Sequence, residues 1–232
     1  EEQEQLDSLK TWWKMHGNTV TTVVTVAALA VLAWQGWNWW QRTEATQASA
    51  LFSGVQSAVA QKDAKRAREL AGELIDKFSG TAQAGLAALL SAKAQFEGGD
   101  IKSARMQLTW AADHAKDDGI RDLARLRLAT VMLDDKAYDE ALARIAAEPA
   151  PSLAPRFADL RGDILMAQGK NAEAKAAYEA ALAKLDVLIK EGGAEVRARG
   201  AYRETLQIKV DALGGAAATA TTAAATAAGE AK

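Results

Sequence analysis

The stretch Ala158-Asp159-Leu160-Arg161-Gly162-Asp163-Ile164-Leu165-Met166-Ala167-Gln168-Gly169-Lys170-Asn171-Ala172-Glu173-Ala174-Lys175-Ala176-Ala177-Tyr178 holds two apolar-periodic segments separated by the polar break Gln168 to Asn171. Gly162 is followed twelve positions later by another small residue, Ala174, and four further on by a large one, Tyr178. Two antiparallel helices that cross closely need small side chains at the crossing, because anything larger pushes them apart. The same spacing recurs at Ala92, Ala104 and Leu108 and at Ala129, Ala141 and Ile145, with Ala111 and Ala181 as further small positions. Gly99 and Gly169 each fall seven residues after the first small position, in the turn between helices.

Working outward, polar or Gly-containing breaks at Gln61 to Ala64, Ser79-Gly80, Glu97 to Asp100, Asp117 to Gly119 and Asp134 to Lys136 lie one helix apart. Pro149-Ala150-Pro151 separates the second unit from the third, where a repeat boundary belongs. Such a period is that of tetratricopeptide repeats, about 34 residues long. The 54 alanines favour helix over strand, although they also make any one alanine match weak, and a generic stack of α-hairpins is the competing reading. Either is all-α. A more degenerate hairpin, Leu51 to Phe78, opens the array with Phe52, Val55, Val59, Leu70 and Leu74 on its apolar faces. A helix over Asn171 to Ile189, a break at Gly192-Gly193 and a last helix over Glu195 to Leu213 close it. In that last helix Tyr202, Leu206, Val210 and Leu213 form one stripe, as a cap over a terminal repeat requires. Residues 214–232 are almost entirely Ala, Thr and Gly, without large apolar side chains to bury, and read as a disordered tail.

The other end of the chain obeys different chemistry. No Asp, Glu, Lys or Arg stands between Lys14 and Arg42, and Thr19 to Trp34 is composed of Thr, Val, Ala and Leu up to its closing Trp. A helix from Asn18 to Trp40 would be roughly 34 Å long against a hydrocarbon core of about 30 Å. Trp12 and Trp13 on one side and Trp34, Trp37, Trp39 and Trp40 on the other stand where amphipathic rings settle, at the two headgroup levels of a lipid bilayer. Threonine hydroxyls are accommodated in such a helix by bonding back to the preceding turn. Ala28-Leu29-Ala30 resembles a signal-peptide cleavage site, but the start Glu1-Glu2-Gln3-Glu4-Gln5 lacks the basic stretch a signal peptide carries, which favours an uncleaved anchor. Lys10 and Lys14 precede the span, and only Arg42 follows it before Lys62, a bias toward an N-terminus inside. The expected organisation is a cytoplasmic N-terminal segment over 1–17, a transmembrane helix over 18–41, an exported tetratricopeptide-like domain with its capping helix over 42–213 and the tail over 214–232.

The composition excludes several functions. With 28 basic and 30 acidic side chains there is no basic excess for nucleic acid, so no nucleic-acid partner is expected. The absence of cysteine removes disulfides, cysteine metal sites and thiol nucleophiles. His16 and His114 are nearly a hundred residues apart, which leaves no histidine pair at metal-ligand spacing, and no phosphate-cradling glycine motif occurs. Asp117-Asp118 and Asp134-Asp135 lie in predicted turns, where helix-capping aspartates are ordinary. We expect neither catalysis nor a cofactor nor a metal.

Two surfaces remain. Asp159 and Asp163 share one helix face and either hold neighbouring arginines such as Arg125 or Arg127 or form a partner contact. In a tetratricopeptide register Leu86, Leu89, Phe96, Leu123, Leu126, Leu133 and Met166 line the inner face, as a groove for an extended or helical segment of a partner or of an unfolded exported protein. The competing reading makes the same residues core, or has the C-terminal helix fill the groove.

On Glu4 to Lys14, Trp34-Gln35-Gly36-Trp37-Asn38, Leu126-Arg127-Leu128-Ala129, Ala158-Asp159-Leu160-Arg161-Gly162-Asp163 and Gln207-Ile208-Lys209-Val210-Asp211-Ala212-Leu213, the chain resembles the YfgM family, ancillary subunits of the bacterial SecYEG translocon. The resemblance covers all but the tail. It implies a single-pass protein of the bacterial inner membrane, N-terminus cytoplasmic and repeat domain periplasmic. As partners it implies the SecYEG translocon and a membrane-anchored periplasmic prolyl-isomerase-like chaperone. It carries over no catalytic motif. A tetratricopeptide scaffold for another envelope complex, serving cytochrome maturation or cell-wall synthesis, is the alternative function.

Overall fold

The computed structural model describes residues 2–191 and 199–214, with side chains from residue 13 onward except those of 15, 19 and 40–42. Every regular element among them is helical. In chain order they are α1 (Glu2–Ala60), α2 (Ala64–Phe78), α3 (Ala82–Glu97), α4 (Ile101–His114), α5 (Asp118–Asp134), α6 (Tyr138–Arg144), α7 (Ala154–Ala167), α8 (Asn171–Lys190) and α9 (199–214). The chain divides into two compact units, 1–50 and 51–232. The expected tail, the Gly192-Gly193 break and the start of the last helix at Glu195 lie outside the described residues, apart from Gly214.

In the second unit one turn is built four times. Lys62, Gly99, Lys136 and Gly169 have φ of 59°, 81°, 60° and 77°, and each ends the first helix of a hairpin in the left-handed region. The next residue in each case donates its N–H across the turn: Asp63 to Ala58 O, Asp100 to Gln95 O, Ala137 to Met132 O and Lys170 to Leu165 O, at 2.8 to 2.9 Å. These bonds satisfy carbonyls that a helix end otherwise leaves without partners. The hairpins are therefore 51–60 with α2, α3 with α4, α5 with α6, and α7 with α8. Asp63 and Asp100 continue as N-caps, accepting from Arg66 N at 2.9 Å and Ser103 N at 3.0 Å.

The crossings carry the predicted residues. Ala92, Ala104 and Leu108, then Ala129, Ala141 and Ile145, then Ala174 and Tyr178 are all at most 4% exposed. Gly162 is buried too, and a Cβ there would stand 2.5 Å from Tyr178 Cδ1, so this crossing admits only glycine beside that ring. The central core joins α3, α4, α5, α6 and α7 through Leu89, Leu108, Leu128, Met132, Ala141, Phe157 and Ile164. A second cluster joins α8 and α9 through Tyr178, Leu185, Leu206 and Val210.

The third hairpin is lopsided: α6 has 7 residues where α4 has 14 and α8 has 20. Past Ile145 the chain runs irregularly to Pro151 and turns into α7. Buried Asp122 holds this segment to α5, one carboxylate oxygen accepting from Ala150 N at 2.8 Å and the other from Arg125 Nη1 at 3.2 Å.

Candidate functional site

In the first unit, Val23, Val24, Val26, Leu29, Val31 and Leu32 are 57% to 63% exposed. Threonines beside them turn their polar groups back on the helix: Thr21, Thr22 and Thr25 donate their hydroxyls to Gly17 O, Asn18 O and Thr21 O at 2.7 to 2.8 Å. Trp13, Trp34, Trp37 and Trp39 are exposed as well, and the side chains of Trp12 and Trp40 lie outside the described residues. Among the described residues, α1 from His16 onward is the one helix long and apolar enough to cross a membrane. An exposed apolar surface of this extent is what a lipid-facing span presents.

In the second unit, two junctions between successive hairpins stand at equivalent register, and they are built differently. At the C-terminal one, α9 packs Leu206 and Val210 against α8 and is pinned to α7 by a polar cluster. Lys209 Nζ donates to Asp159 Oδ1 at 2.7 Å and to Asp163 Oδ1 at 2.6 Å. Tyr202 OH donates to Asp159 Oδ2 at 2.8 Å and Tyr178 OH to Asp163 Oδ1 at 2.7 Å. The Arg156 guanidinium stacks 4.1 Å over the Tyr202 ring, and Lys209 Nζ lies 5.0 Å from the centre of the Tyr178 ring.

Burial, reinforced by the hydrogen bonds to carboxylates, pushes both tyrosine hydroxyls far above their ordinary range. For Lys209, burial pulls the ammonium down, but the bonds and charges of Asp159 and Asp163 outweigh it and leave the net direction upward. The two tyrosines and Lys209 thus keep their protons against the carboxylates they donate to, and the part-buried ammonium is not left as an unpaired charge.

At the earlier junction a cleft of about 330 Å³ opens between α3 and α5. Its walls are Ala92, Lys93 and Phe96 from α3 and Arg127, Thr130 and Val131 from α5, with Leu108 of α4 between them. Phe96 is 46% exposed at its rim. The lining is mostly hydrocarbon, and its charged groups are both cations.

A tetratricopeptide repeat-like domain family matches residues 10–215. A Neisseria gonorrhoeae protein named "Ancillary SecYEG translocon subunit" is 30% identical over 215 residues, 92% of this chain and 97% of its own. Proteins of the same name from Haemophilus influenzae and Aggregatibacter actinomycetemcomitans are 29% and 28% identical, each over 78% of this chain and 88% of their own. The chain belongs to the YfgM family of ancillary SecYEG translocon subunits.

In this YfgM-family chain the seven residues expected to line an inner groove do not share one environment. Leu89 is 4% exposed and belongs to the central core, a correction with a simple cause: α3 is sandwiched between neighbouring hairpins, and that side of it has no solvent. Leu123, Leu126 and Leu133 are partly buried against the same core. Leu86, Phe96 and Met166 are exposed, and of the seven only Phe96 lines the cleft. Asp159 and Asp163 do form internal contacts, but with Lys209, Tyr202 and Tyr178 in place of Arg125 or Arg127. Arg125 is taken by Asp122, and Arg127 faces the cleft.

Arg127, Thr130, Val131 and Lys93 were missed as lining residues. The signal that could have found them is position: Lys93 stands beside the small residue of α3, as Thr130 does beside that of α5. Three of the four paired acids have structural partners: Asp117 caps α5 through Ile120 N at 2.9 Å, Asp118 pairs with Arg121, and Asp135 holds Arg105 at 3.1 Å.

Proposed function

We propose that this chain is a noncatalytic, membrane-anchored adaptor of the Sec translocon whose helical repeats receive a partner on the face shared by α3 and α5. The observation that carries it is the pairing, in one chain, of an exposed apolar helix long enough to cross a membrane and a repeat unit with an apolar cleft between α3 and α5. The names of its relatives support the translocon as the assembly in question. In this reading residues 18–41 cross the bacterial inner membrane with 1–17 in the cytoplasm, and the repeats over 42–213 work in the periplasm. The partner is a membrane-anchored periplasmic prolyl-isomerase-like chaperone or an emerging exported chain. Anchoring confines both partners to one surface, so a cleft of modest affinity suffices at high local concentration.

Copurification from native membranes tests this. Tagged full-length chain should recover SecY, SecE and SecG after alkaline carbonate washing, and Phe96→Asp should reduce recovery of the periplasmic partner while leaving helicity intact. Release of the chain by carbonate, or undiminished recovery of every partner with Phe96→Asp, rejects the proposal.

A further inference from the structure

The two junctions can be compared residue by residue, because Gly162, Asp163, Met166 and Tyr178 stand 70 positions after Ala92, Lys93, Phe96 and Leu108 at the same points of the repeat. At the later junction the space beside the crossing is filled from within. Tyr178 supplies a ring, Asp163 a carboxylate, and Lys209 of the incoming helix supplies the cation that binds them. At the earlier junction the ring is replaced by the smaller Leu108 and the carboxylate by Lys93, while the incoming helix α5 still brings a cation, Arg127. What is missing there is an aromatic-sized apolar group and a negative charge. What is present is a cleft of about 330 Å³ and two cations on its wall. Lys93 has only an exposed pairing with Glu97 at 3.7 Å, and for Arg127 no ion pair is found among the described residues.

We propose that the α3/α5 cleft binds a partner segment carrying a large apolar or aromatic side chain beside a carboxylate, the ring seated between Phe96, Leu108 and Val131 and the carboxylate taken by Arg127 and Lys93. The inference rests on the adaptor reading above and names the chemistry of what that cleft receives. The internal cluster at the other junction is its template: ring plus carboxylate against cation, with the ligand replacing what the chain itself contributes there. A guanidinium fork suits a carboxylate in two-point geometry, and its position at an apolar wall strengthens the bond relative to one in open water.

The experiment uses the full chain in nanodiscs and two fluorescein-labelled nine-residue peptides, one with a central Phe flanked by aspartates and the other with the same Phe flanked by asparagines. Anisotropy should show the aspartate peptide binding about tenfold more tightly, a difference of one charge-assisted contact. The preference should shrink with added salt. Arg127→Gln should remove it, and Arg127→Glu should make the asparagine peptide the better ligand. Leu108→Tyr combined with Ala92→Gly, which fills the cleft from below as Tyr178 does beside Gly162, should weaken both peptides in a chain whose helicity is unchanged. Equal affinity for the two peptides, binding of neither, or an aspartate preference that survives Arg127→Glu overturns the inference. If Phe96→Asp still abolishes partner recovery from membranes in that event, the adaptor reading stands and only the ligand chemistry is wrong.

Discussion

The two junctions of the repeat unit are built on one backbone register and end in opposite states. Around Gly162 and Tyr178 the carboxylates of Asp159 and Asp163 are met by Lys209, Tyr202 and Tyr178, and an added helix lies on top; around Ala92 and Leu108 the same positions border an open cleft. Four side chains make the difference. Glycine at the crossing admits a ring, the ring's hydroxyl orients a carboxylate, and the carboxylate draws in Lys209. Replace the ring with leucine and the carboxylate with lysine, and among the described residues the same place is a cleft. A solenoid thus separates its self-contacts from its surfaces for others by changing the residues beside each crossing, leaving the hairpin itself alone.

The contrast is most easily broken at the ring. Tyr178→Ala should cost about 3 to 5 kcal/mol, from the cavity left and from Asp163 losing a donor. It should lower the thermal midpoint followed by circular dichroism on the order of 10 °C. Leu108→Ala, at the open junction, should cost about 2 to 3 kcal/mol, because its neighbours border space already. Equal losses would mean that the two junctions are packed alike.

Next comes the cation. Lys209→Met removes the charge that Asp159 and Asp163 share and should cost about 1 to 3 kcal/mol, with loss of amide protection confined to 199–214. Arg127→Met should leave stability within about 0.5 kcal/mol. Unchanged exchange in 199–214 for Lys209→Met would show that Leu206 and Val210 alone hold α9.

A smaller effect lies in pH. Tyr178, Tyr202 and Lys209 all hold their protons more tightly when folded, so above the unfolded values of about 10 the native state binds more protons than the unfolded one. Stability from these groups is fully present below pH 10 and falls as pH rises beyond it. Urea midpoints should drop as pH rises above about 10, less so in Tyr202→Phe, while Arg127 variants keep the parental slope. A flat profile would show the cluster to be solvated.

The smallest changes concern the repeated turn. Gly99→Ala should destabilise by about 1 kcal/mol, and Lys136→Gly should stabilise by less than that, since both sites have positive φ and only one carries the residue suited to it.

The repeat was legible because alanine and glycine at a twelve-residue spacing have few explanations besides a close helix crossing. All three predicted sets are buried, and the glycine turns at 99 and 169 are where the spacing puts them. The two sister turns were placed by the polar breaks at Gln61 to Ala64 and Asp134 to Lys136, but their left-handed conformation was hidden because Lys62 and Lys136 adopt it without the glycine that announces it. The early end of α6 at Arg144 was only half visible, since Pro149 and Pro151 mark a boundary without saying how far before them the helix stops.

The groove was the least legible part. Seven apolar residues at one register look alike in a sequence, and whether a leucine faces a neighbouring helix or solvent depends on how successive hairpins pack. Leu89 and Phe96 differ by seven positions and fall on opposite sides of that line. Asp159 and Asp163 were recognised as a pair, but their partner Lys209 lies 46 or more residues away on an element that no local pattern ties to them.

On the proposed reading partners bind at the earlier junction, while beside Gly162 the later one is filled by the chain's own Tyr178, Asp163 and Lys209. A photoreactive phenylalanine analogue placed at Phe96, and in a second chain at Tyr178, tests it directly in native membranes. The account predicts crosslinks to a translocon-associated partner from position 96 and only intramolecular products from position 178. Partner crosslinks from 178, with none from 96, would contradict it.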